Sequence, residues 1–169
     1  MRDVEPRIWR RIVVPESLTL RQLHDVLQIA MGWDNSHLYL FAIGDDEYGE
    51  VEDMDELRDV HRTRLATLIE PGTVFRYDYD FGDGWEHDVH VVRRTTADGA
   101  HCLDGGRACP PEDCGGPDGY ARLLEVLADP AHPDHAEASD WLGRSVDPEV
   151  FDADAVDAAL RAGPRRRRG

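Results

Sequence analysis

The chain contains no lysine, and its nineteen basic residues are all arginine. Thirty-five acidic residues oppose them, which leaves a formal net charge of −16. Four of the arginines form the terminal run 165–168, so residues 1–164 hold 15 basic and 35 acidic side chains, a balance of −20. Such an acidic body repels phosphate backbones, so binding of nucleic acid by the folded part of the chain is disfavoured.

Long apolar runs are also missing. No stretch approaches the roughly eighteen consecutive apolar residues of a membrane-spanning helix, and Met1–Glu5 lack the apolar core of a secretion signal. We therefore expect a cytoplasmic protein without a membrane segment. With 169 residues, 41% of them hydrophobic, the chain can bury one core. We expect a single domain over residues 1–163 and a disordered arginine-rich tail over 164–169.

Signatures of common catalytic sites are absent as well. The sequence has no G-x-S-x-G, no H-E-x-x-H, no P-loop and no dinucleotide fingerprint. The letters D-F-G at 80–82 stand without the other kinase motifs, so they carry no kinase meaning. We therefore assign no catalytic residue from the sequence.

Hydrophobic periodicity predicts an α+β domain. Apolar residues recur with a helical period from Leu20 to Ala30, after the capping-box pair Thr19 and Gln22, and the pattern ends at Gly32. Alternation and an Asp-Gly turn predict a hairpin of strands 73–80 and 85–94. Further strands are predicted at 8–14, 37–43 and 48–52, an acidic loop at 45–59, a helical turn at 64–70, a Gly/Pro/Cys loop at 104–119, and helices at 120–128, 133–142 and 153–161. This order fits one mixed sheet with helices packed on it.

Several motifs together resemble the plasmid pRiA4b ORF-3-like family. They are P-R-I-W-R-R at 6–11, L-H at 23–24, M-G-W at 31–33, H-L at 37–38, Y-D-Y-D-F-G-D-G-W-E-H at 77–87, C-P-P-E-D-C-G-G at 109–116, G-Y at 119–120 and F-D at 151–152. The resemblance implies a β-grasp, ubiquitin-like mixed sheet with a crossover helix and additional C-terminal helices. Some members are labelled as transposon-passenger proteins, which implies a role accessory to mobile genetic elements.

The sequence departs from this family pattern in two places. Family members usually carry a full strand before the P-x-I-W-R-R segment, whereas five residues precede Pro6 here. Either the true start lies further upstream, or the first strand is shortened and leaves an open sheet edge at this end. Tyr39 stands where the family often has a further histidine, so any ligand role of that histidine is lost.

Three cysteines lie within thirteen residues and suggest a metal site. Cys102, Cys109 and Cys114, with His101 or a histidine of the hairpin as the fourth ligand, provide the donors of a zinc site. The intervals between them are wider than those of zinc knuckles. The alternative is three thiols that pack within an irregular loop.

The hairpin carries a second candidate site. Asp80, Asp83 and His87 offer two carboxylates and an imidazole for a divalent metal or for acid–base chemistry. The alternative is that Asp83 serves the turn, Asp80 caps the loop and His87 packs against Trp85.

A third candidate combines the first strand with the end of the helix. Arg10 and Arg11 follow Trp9 on the first strand, and His24, Trp33 and His37 come from the helix and the turn after it. If these side chains converge, they would form an aromatic and basic pocket for an anionic group. The alternative is that the arginines pair with acidic neighbours and the tryptophans belong to the core or its rim.

These observations favour a non-enzymatic binding or adaptor protein with a protein partner. One alternative is a metal-dependent, hydrolase-like enzyme that uses Asp80, Asp83 and His87. The other is a DNA recombination accessory protein that contacts DNA through the arginines of the tail. The sequence leaves the oligomeric state open.

Overall fold

A computed structural model describes residues 1–50, 57–143 and 147–163. Within these ranges it contains seven strands, four α-helices and one short 3-10 turn at Leu65–Thr67. The strands are β1 Trp9–Val13, β2 Tyr39–Ile43, β3 Asp46–Gly49, β4 Arg58–Asp59, β5 Val74–Tyr79, β6 Trp85–His90 and β7 His101–Gly106. The helices are α1 Leu20–Met31, α2 Gly116–Ala128, α3 His135–Leu142 and α4 Ala153–Ala162.

The strands form two sheets. Five of them make a mixed sheet in the order β4-β3-β2-β5-β6, in which only β3 and β4 are parallel. Strands β1 and β7 form a separate antiparallel pair. The prediction of a single sheet is therefore wrong. The β-grasp arrangement is not confirmed, because α1 does not connect two strands of one sheet.

Strand β7 was not predicted, and its second half overlaps the start of the loop that was expected at 104–119. Its sequence, H-C-L-D-G-G, has little of the alternation that marks a strand, and it forms because it pairs with β1. Its two glycines allow close packing: a Cβ on Gly105 would lie 2.3 Å from the Phe151 ring, and one on Gly106 would lie 2.7 Å from Trp9 Nε1. The strand thus depends on tertiary contacts.

Helix α1 lies between the main sheet and α4. Its capping box is formed as expected, because Thr19 Oγ1 accepts from the Gln22 amide and Gln22 Oε1 accepts from the Thr19 amide. Leu20 and Leu23 join the main core on the sheet. Val26 joins a smaller cluster with Leu160 of α4 and Cys102 of β7. The helix therefore has two apolar faces.

The main core is aromatic. The predicted alternation on β5 is confirmed up to Tyr79, since Phe75, Tyr77 and Tyr79 are 4%, 1% and 0% exposed. Phe81 continues this alternation in the sequence but is 49% exposed. The chain turns at Asp80, whose φ of 56° ends the strand.

Other boundaries differ from expectation for local reasons. Helix α2 begins at Gly116, four residues early, because Pro117 suits the first turn of a helix. Helix α4 begins at Ala153, as predicted, and is capped by Asp152, whose side chain accepts from the Ala155 amide. The predicted acidic loop contains β3 and β4, and its residues 51–56 lie outside the described residues, as does the tail 164–169.

Candidate metal site

Three separate segments meet beyond the end of β5. They are the turn after α1 at residues 33–38, the β5–β6 turn at 80–84 and the Pro/Cys loop at 109–116. Hydrogen bonds join them: Trp33 Nε1 donates to Pro110 O at 3.0 Å, and the Gly115 amide donates to Asp83 Oδ2 at 3.2 Å. Each segment carries one of the family-like motifs.

The buried Tyr79 and the partly buried Glu112 connect the same segments. The Tyr79 hydroxyl donates to Glu112 Oε1 at 2.5 Å and accepts from the Ser36 amide at 3.0 Å. The second carboxylate oxygen of Glu112 accepts from the Asp34 amide at 2.7 Å. Burial, followed by the neighbouring carboxylate, raises the pKa of Tyr79 above its usual value. The phenol therefore remains a hydrogen-bond donor at neutral pH.

Asp80 is held in one orientation by the turn that it begins. Its amide donates to Leu38 O at 2.9 Å. Its Oδ1 accepts from the amides of Gly82 and Asp83 at 3.0 and 3.4 Å. Only 7% of the residue is exposed. The carboxylate thus uses one oxygen for the turn and directs the other, Oδ2, towards His37.

His37, Asp80 and Asp113 form a cluster of potential metal ligands. His37 Nε2 lies 3.6 Å from Asp80 Oδ2 and 3.3 Å from Asp113 Oδ1. The three ligand atoms all lie within 4.8 Å of one another, and no other group of three His, Cys, Asp or Glu side chains does so in the described ranges.

The imidazole of this cluster is close to both carboxylates without being hydrogen-bonded to either. His37 Nε2 is buried and has no hydrogen-bond partner among the described residues. The imidazole ring is therefore not oriented for a hydrogen bond to either carboxylate, although its Nε2 lies 3.3 Å from Asp113 Oδ1. Ligand atoms that share a metal are separated in this way: with bonds of about 2.1 Å, tetrahedral ligands lie about 3.4 Å apart.

The cluster opens to solvent on one side. The Asp113 side chain is 72% exposed, whereas that of His37 is 27% exposed. A pocket of about 410 Å³ adjoins it and is lined by residues 35–38 and 80–82. A cation held here would keep coordination positions accessible from solvent.

A buried ring of hydrogen bonds holds the segment before His37. His24 Nε2 donates to Asn35 Oδ1 at 2.7 Å, and the Tyr77 hydroxyl donates to His24 Nδ1 at 2.8 Å. Gln28 Nε2 donates to the Tyr77 hydroxyl at 3.0 Å, and the Asn35 amide donates to Gln28 Oε1 at 3.0 Å. Burial lowers the pKa of His24 to about 4. The ring is therefore neutral at physiological pH, and its tautomer follows from the network.

The hairpin residues of the second candidate separate. Asp83 binds the Gly115 amide, and His87 points into the core, where its Nδ1 lies 3.2 Å from Tyr77 O. Burial lowers the pKa of His87 to about 3. Trp85 is fully buried. The structure thus brings the Asp80 carboxylate to the His37 imidazole, whereas the Asp83 carboxylate faces the Gly115 amide and His87 lies in the core.

The residues of the third candidate also lie in different environments. Arg10 donates to Ala30 O and Gly106 O at 3.0 Å each, and its guanidinium lies 4.0 Å from the centre of the Phe151 ring. Trp33 is buried and stacks on Tyr79 at 4.8 Å. Trp33 and His37 both pack against Tyr79, whereas Arg10 lies beside Phe151, so the structure does not bring Arg10 together with the other two.

The cysteines are not gathered as metal ligands. Cys102 belongs to the cluster under α4, whereas Cys109 and Cys114 pack against the main core. Burial raises the pKa of Cys114 to about 12 and that of Cys109 further. Without a metal, these two thiols are therefore protonated at neutral pH.

Asp113 was missed as a candidate ligand. The sequence feature that pointed to it is the motif C-P-P-E-D-C-G-G, in which two acidic residues lie between rigid prolines and conformationally permissive glycines. That the loop meets residues 33–38 is not visible in the sequence.

The fold and the site define an α+β protein with two sheets and a candidate cation site at the junction of its motif segments. A family model described as "Plasmid pRiA4b ORF-3-like protein" matches residues 1–155. The chain belongs to this family, which confirms the resemblance read from its motifs.

Two relatives extend this assignment. The chain is 46% identical over 149 residues to "Uncharacterized protein y4hQ" of Sinorhizobium fredii, and the match covers 84% of this chain and 77% of that protein. It is also similar to the crystal structure of a protein of unknown function, MM3350, from Methanosarcina mazei Go1, with a TM-score of 0.82 and 35% identity over 90% of each chain. In the part of the chain that the structure describes, no helix has the length and apolar character needed to cross a bilayer.

Proposed function

We propose that the protein is a binding module whose ligand is a divalent cation held by His37, Asp80 and Asp113. The observation that carries this proposal is the convergence of three ligand atoms within 4.8 Å. They come from three segments that lie far apart in the sequence. One imidazole nitrogen with two carboxylate oxygens suits Zn²⁺, Mn²⁺ or Fe²⁺, whereas Cu⁺ prefers sulfur ligands.

The role of the cation would be to bind an anionic group. Three protein ligands leave coordination positions open, and the exposed Asp113 side of the cluster gives access to them. A chain with a net charge of −16 otherwise repels carboxylates and phosphates. A bound cation thus supplies the local positive charge that this surface needs to recognise an acidic partner.

As part of this proposal, the protein acts as an adaptor. It is non-enzymatic, lies in the cytoplasm and binds a protein partner. A function accessory to mobile genetic elements rests on the labels of some family members.

A metal-dependent hydrolase is the second candidate, and the 410 Å³ pocket beside the cluster favours it. In this version His37 and Asp113 replace His87 and Asp83 as the partners of Asp80. A water molecule on the cation would be the nucleophile.

Titration calorimetry tests the cation site. Chelator-treated protein is titrated with ZnCl₂ and, separately, with MnCl₂, and we expect one site per chain for at least one metal. Asp113→Asn is the sharpest variant, because its side chain is exposed and its loss leaves the core intact. Loss of one ligand is expected to weaken binding by roughly a hundredfold or more. His61→Ala is the matched control, since this exposed histidine pairs with Glu50 elsewhere.

Two results would contradict the proposal: no binding of either metal by the wild type, or equal binding by Asp113→Asn and His61→Ala. Cys109→Ser tests whether the cysteines are the metal ligands. Loss of metal binding in this variant alone would place the metal at the thiols. Hydrolysis of bis(p-nitrophenyl) phosphate by loaded wild type, but not by Asp113→Asn, would favour the hydrolase.

A further inference from the structure

Two large apolar side chains lie beside the candidate cation site and are open to solvent. Leu38 directly follows His37 in the chain and is 48% exposed. Phe81 directly follows Asp80 and is 49% exposed. All four residues line the pocket of about 410 Å³. The described ranges leave eight large apolar side chains exposed, and two of them thus adjoin one cluster of potential metal ligands.

The backbone holds these two side chains at the same pocket. The Asp80 amide donates to Leu38 O at 2.9 Å, which joins the residue before β2 to the turn after β5. Tyr79 is fully buried, but the φ of 56° at Asp80 ends the strand, and Phe81 is left exposed rather than packed in the core. The apolar wall formed by Leu38 and Phe81 is therefore fixed by the same turn that orients the Asp80 carboxylate.

The pocket is larger than a metal ion and its water ligands need. A water molecule occupies about 30 Å³ in the liquid, whereas the pocket has a volume of about 410 Å³. Pockets that bind small organic molecules range from roughly 300 to 1,000 Å³. The space beside the cluster therefore suits an organic group of the size of one aromatic ring.

Charge determines which anion suits the loaded site. The carboxylates of Asp80 and Asp113 together carry two negative charges, which balance a divalent cation, and a ligating His37 is neutral. Asp83 and Glu112 on the same segments add negative charge, and the whole chain carries −16. A doubly charged phosphate monoester is therefore repelled more strongly than a singly charged carboxylate.

We propose that this pocket binds a carboxylate attached to a single apolar group, preferably an aromatic ring. The carboxylate coordinates the cation, and the ring lies against Leu38 and Phe81, in the stacked or edge-to-face geometry that aromatic rings favour. The inference rests on the cation site of the proposed function and names the ligand class of that site. Two sources supply this chemistry: a free aromatic acid and the C-terminal residue of a partner chain.

The apolar wall gives the site its selectivity. A ring that covers Leu38 and Phe81 removes apolar surface from water, and the free energy gained is proportional to the area covered. Acetate offers the carboxylate without such surface, so it lacks this contribution. Without the cation, the carboxylates of Asp80 and Asp113 repel any anion. Binding is therefore strongest when both the cation and the apolar group are present.

Calorimetric titration of the full chain in two stages tests the proposal. The first stage measures binding of ZnCl₂ and of MnCl₂ to the chelator-treated protein. In the second stage, protein loaded with the metal that binds is titrated with phenylacetate, acetate and phenyl phosphate. We expect phenylacetate to bind at least about tenfold more tightly than acetate, and more tightly than phenyl phosphate. The metal-free protein should bind phenylacetate far more weakly than the loaded protein.

A short peptide distinguishes the two sources of the carboxylate. The probe is acetylated Gly-Gly-Phe with a free C-terminus, and its control is the same peptide with a C-terminal amide. Binding of the free-acid peptide at least as tight as that of phenylacetate would assign the pocket to a chain end. Weaker binding would assign it to a free aromatic acid. The amide should not bind in either case, because it lacks the carboxylate.

Phe81→Ala is the discriminating variant, because it removes the ring and keeps Asp80. We expect its affinity for phenylacetate to fall about tenfold, towards that for acetate. Its cation affinity is measured in the first stage, which separates loss of the metal from loss of the apolar wall. Leu38→Ala tests the other side of the wall in the same way. Val74→Ala is the matched control, since Val74 is 53% exposed at the opposite end of β5 and should bind as the wild type does.

Three results would overturn this inference and leave the cation site standing. They are equal affinities of the loaded wild type for phenylacetate and acetate, tighter binding of phenyl phosphate than of phenylacetate, and unchanged phenylacetate affinity in both Phe81→Ala and Leu38→Ala. Failure of the wild type to bind either metal in the first stage would instead overturn the proposed function, and this inference with it.

Discussion

At the scale of single residues, the candidate site depends on glycines that let its loop approach the β5–β6 turn. A Cβ on Gly116 would lie 2.2 Å from Asp83 O, and one on Gly119 would lie 2.0 Å from Cys114 O. Gly116 also has a φ of +70°, which side chains other than glycine rarely adopt. These contacts place Asp113 beside the segment that carries Asp80.

Replacement of Gly116 by alanine should therefore be costly. We expect Gly116→Ala to lower the free energy of unfolding by about 3 kcal/mol, since strain and a main-chain clash add together. Gly143→Ala is the control: its φ is +60°, but a Cβ there meets nothing within 4 Å. It should cost only about 1 kcal/mol. Urea denaturation measures both, and equal losses would contradict the packing argument.

The site residues show how far sequence reasoning reached. His37 and Asp80 were both candidates, but in different hypotheses, and Asp113 was in none. Their separation along the chain hides the convergence, because only the fold brings the turn after α1 to the Pro/Cys loop. His87 is the opposite case. Its imidazole is a possible metal ligand, but the side chain is buried in the core, and the sequence does not show this burial.

At the scale of elements, α1 is the helix whose ends were best predicted. The capping box at Thr19 and the left-handed Gly32 both follow from local chemistry, which the sequence displays directly. Strand β7 is the opposite case, because its pairing with β1 is long-range.

The cap of α1 offers a test at this scale. Thr19→Ala removes the acceptor for the Gln22 amide and should lower the free energy of unfolding by about 1 kcal/mol. Thr19→Ser keeps the hydroxyl and should lie within about 0.5 kcal/mol of the wild type. Urea denaturation again provides the measurement. A loss of equal size in both variants would mean that the methyl group, rather than the cap, stabilises the helix start.

At the scale of the whole molecule, buried titratable groups set the pH range of stability. Burial lowers the pKa of His24 to about 4 and that of His87 to about 3, so both are neutral in the folded state. In the unfolded chain a histidine has a pKa of about 6.5. Between these values the unfolded chain binds more protons, so stability is complete above about pH 6.5 and is lost as the pH falls.

We therefore expect the free energy of unfolding to fall by about 2 to 3 kcal/mol per pH unit between about pH 6 and pH 4.5, since each histidine contributes up to about 1.4 kcal/mol per unit. Urea denaturation at a series of pH values measures this slope. A flat profile between pH 6.5 and 5 would show that neither buried histidine resists protonation.

The sequence by itself determined the family, the α+β class, helix α1, the β5–β6 hairpin and the acidic net charge of the chain. These follow from local periodicity, capping, turn chemistry and charge, which act between near neighbours in the chain. Only the tertiary structure decided that β1 pairs with β7, that His87 is buried, and that His37, Asp80 and Asp113 meet. Those outcomes depend on contacts between distant segments, whose free energies arise from burial and packing that no local pattern records.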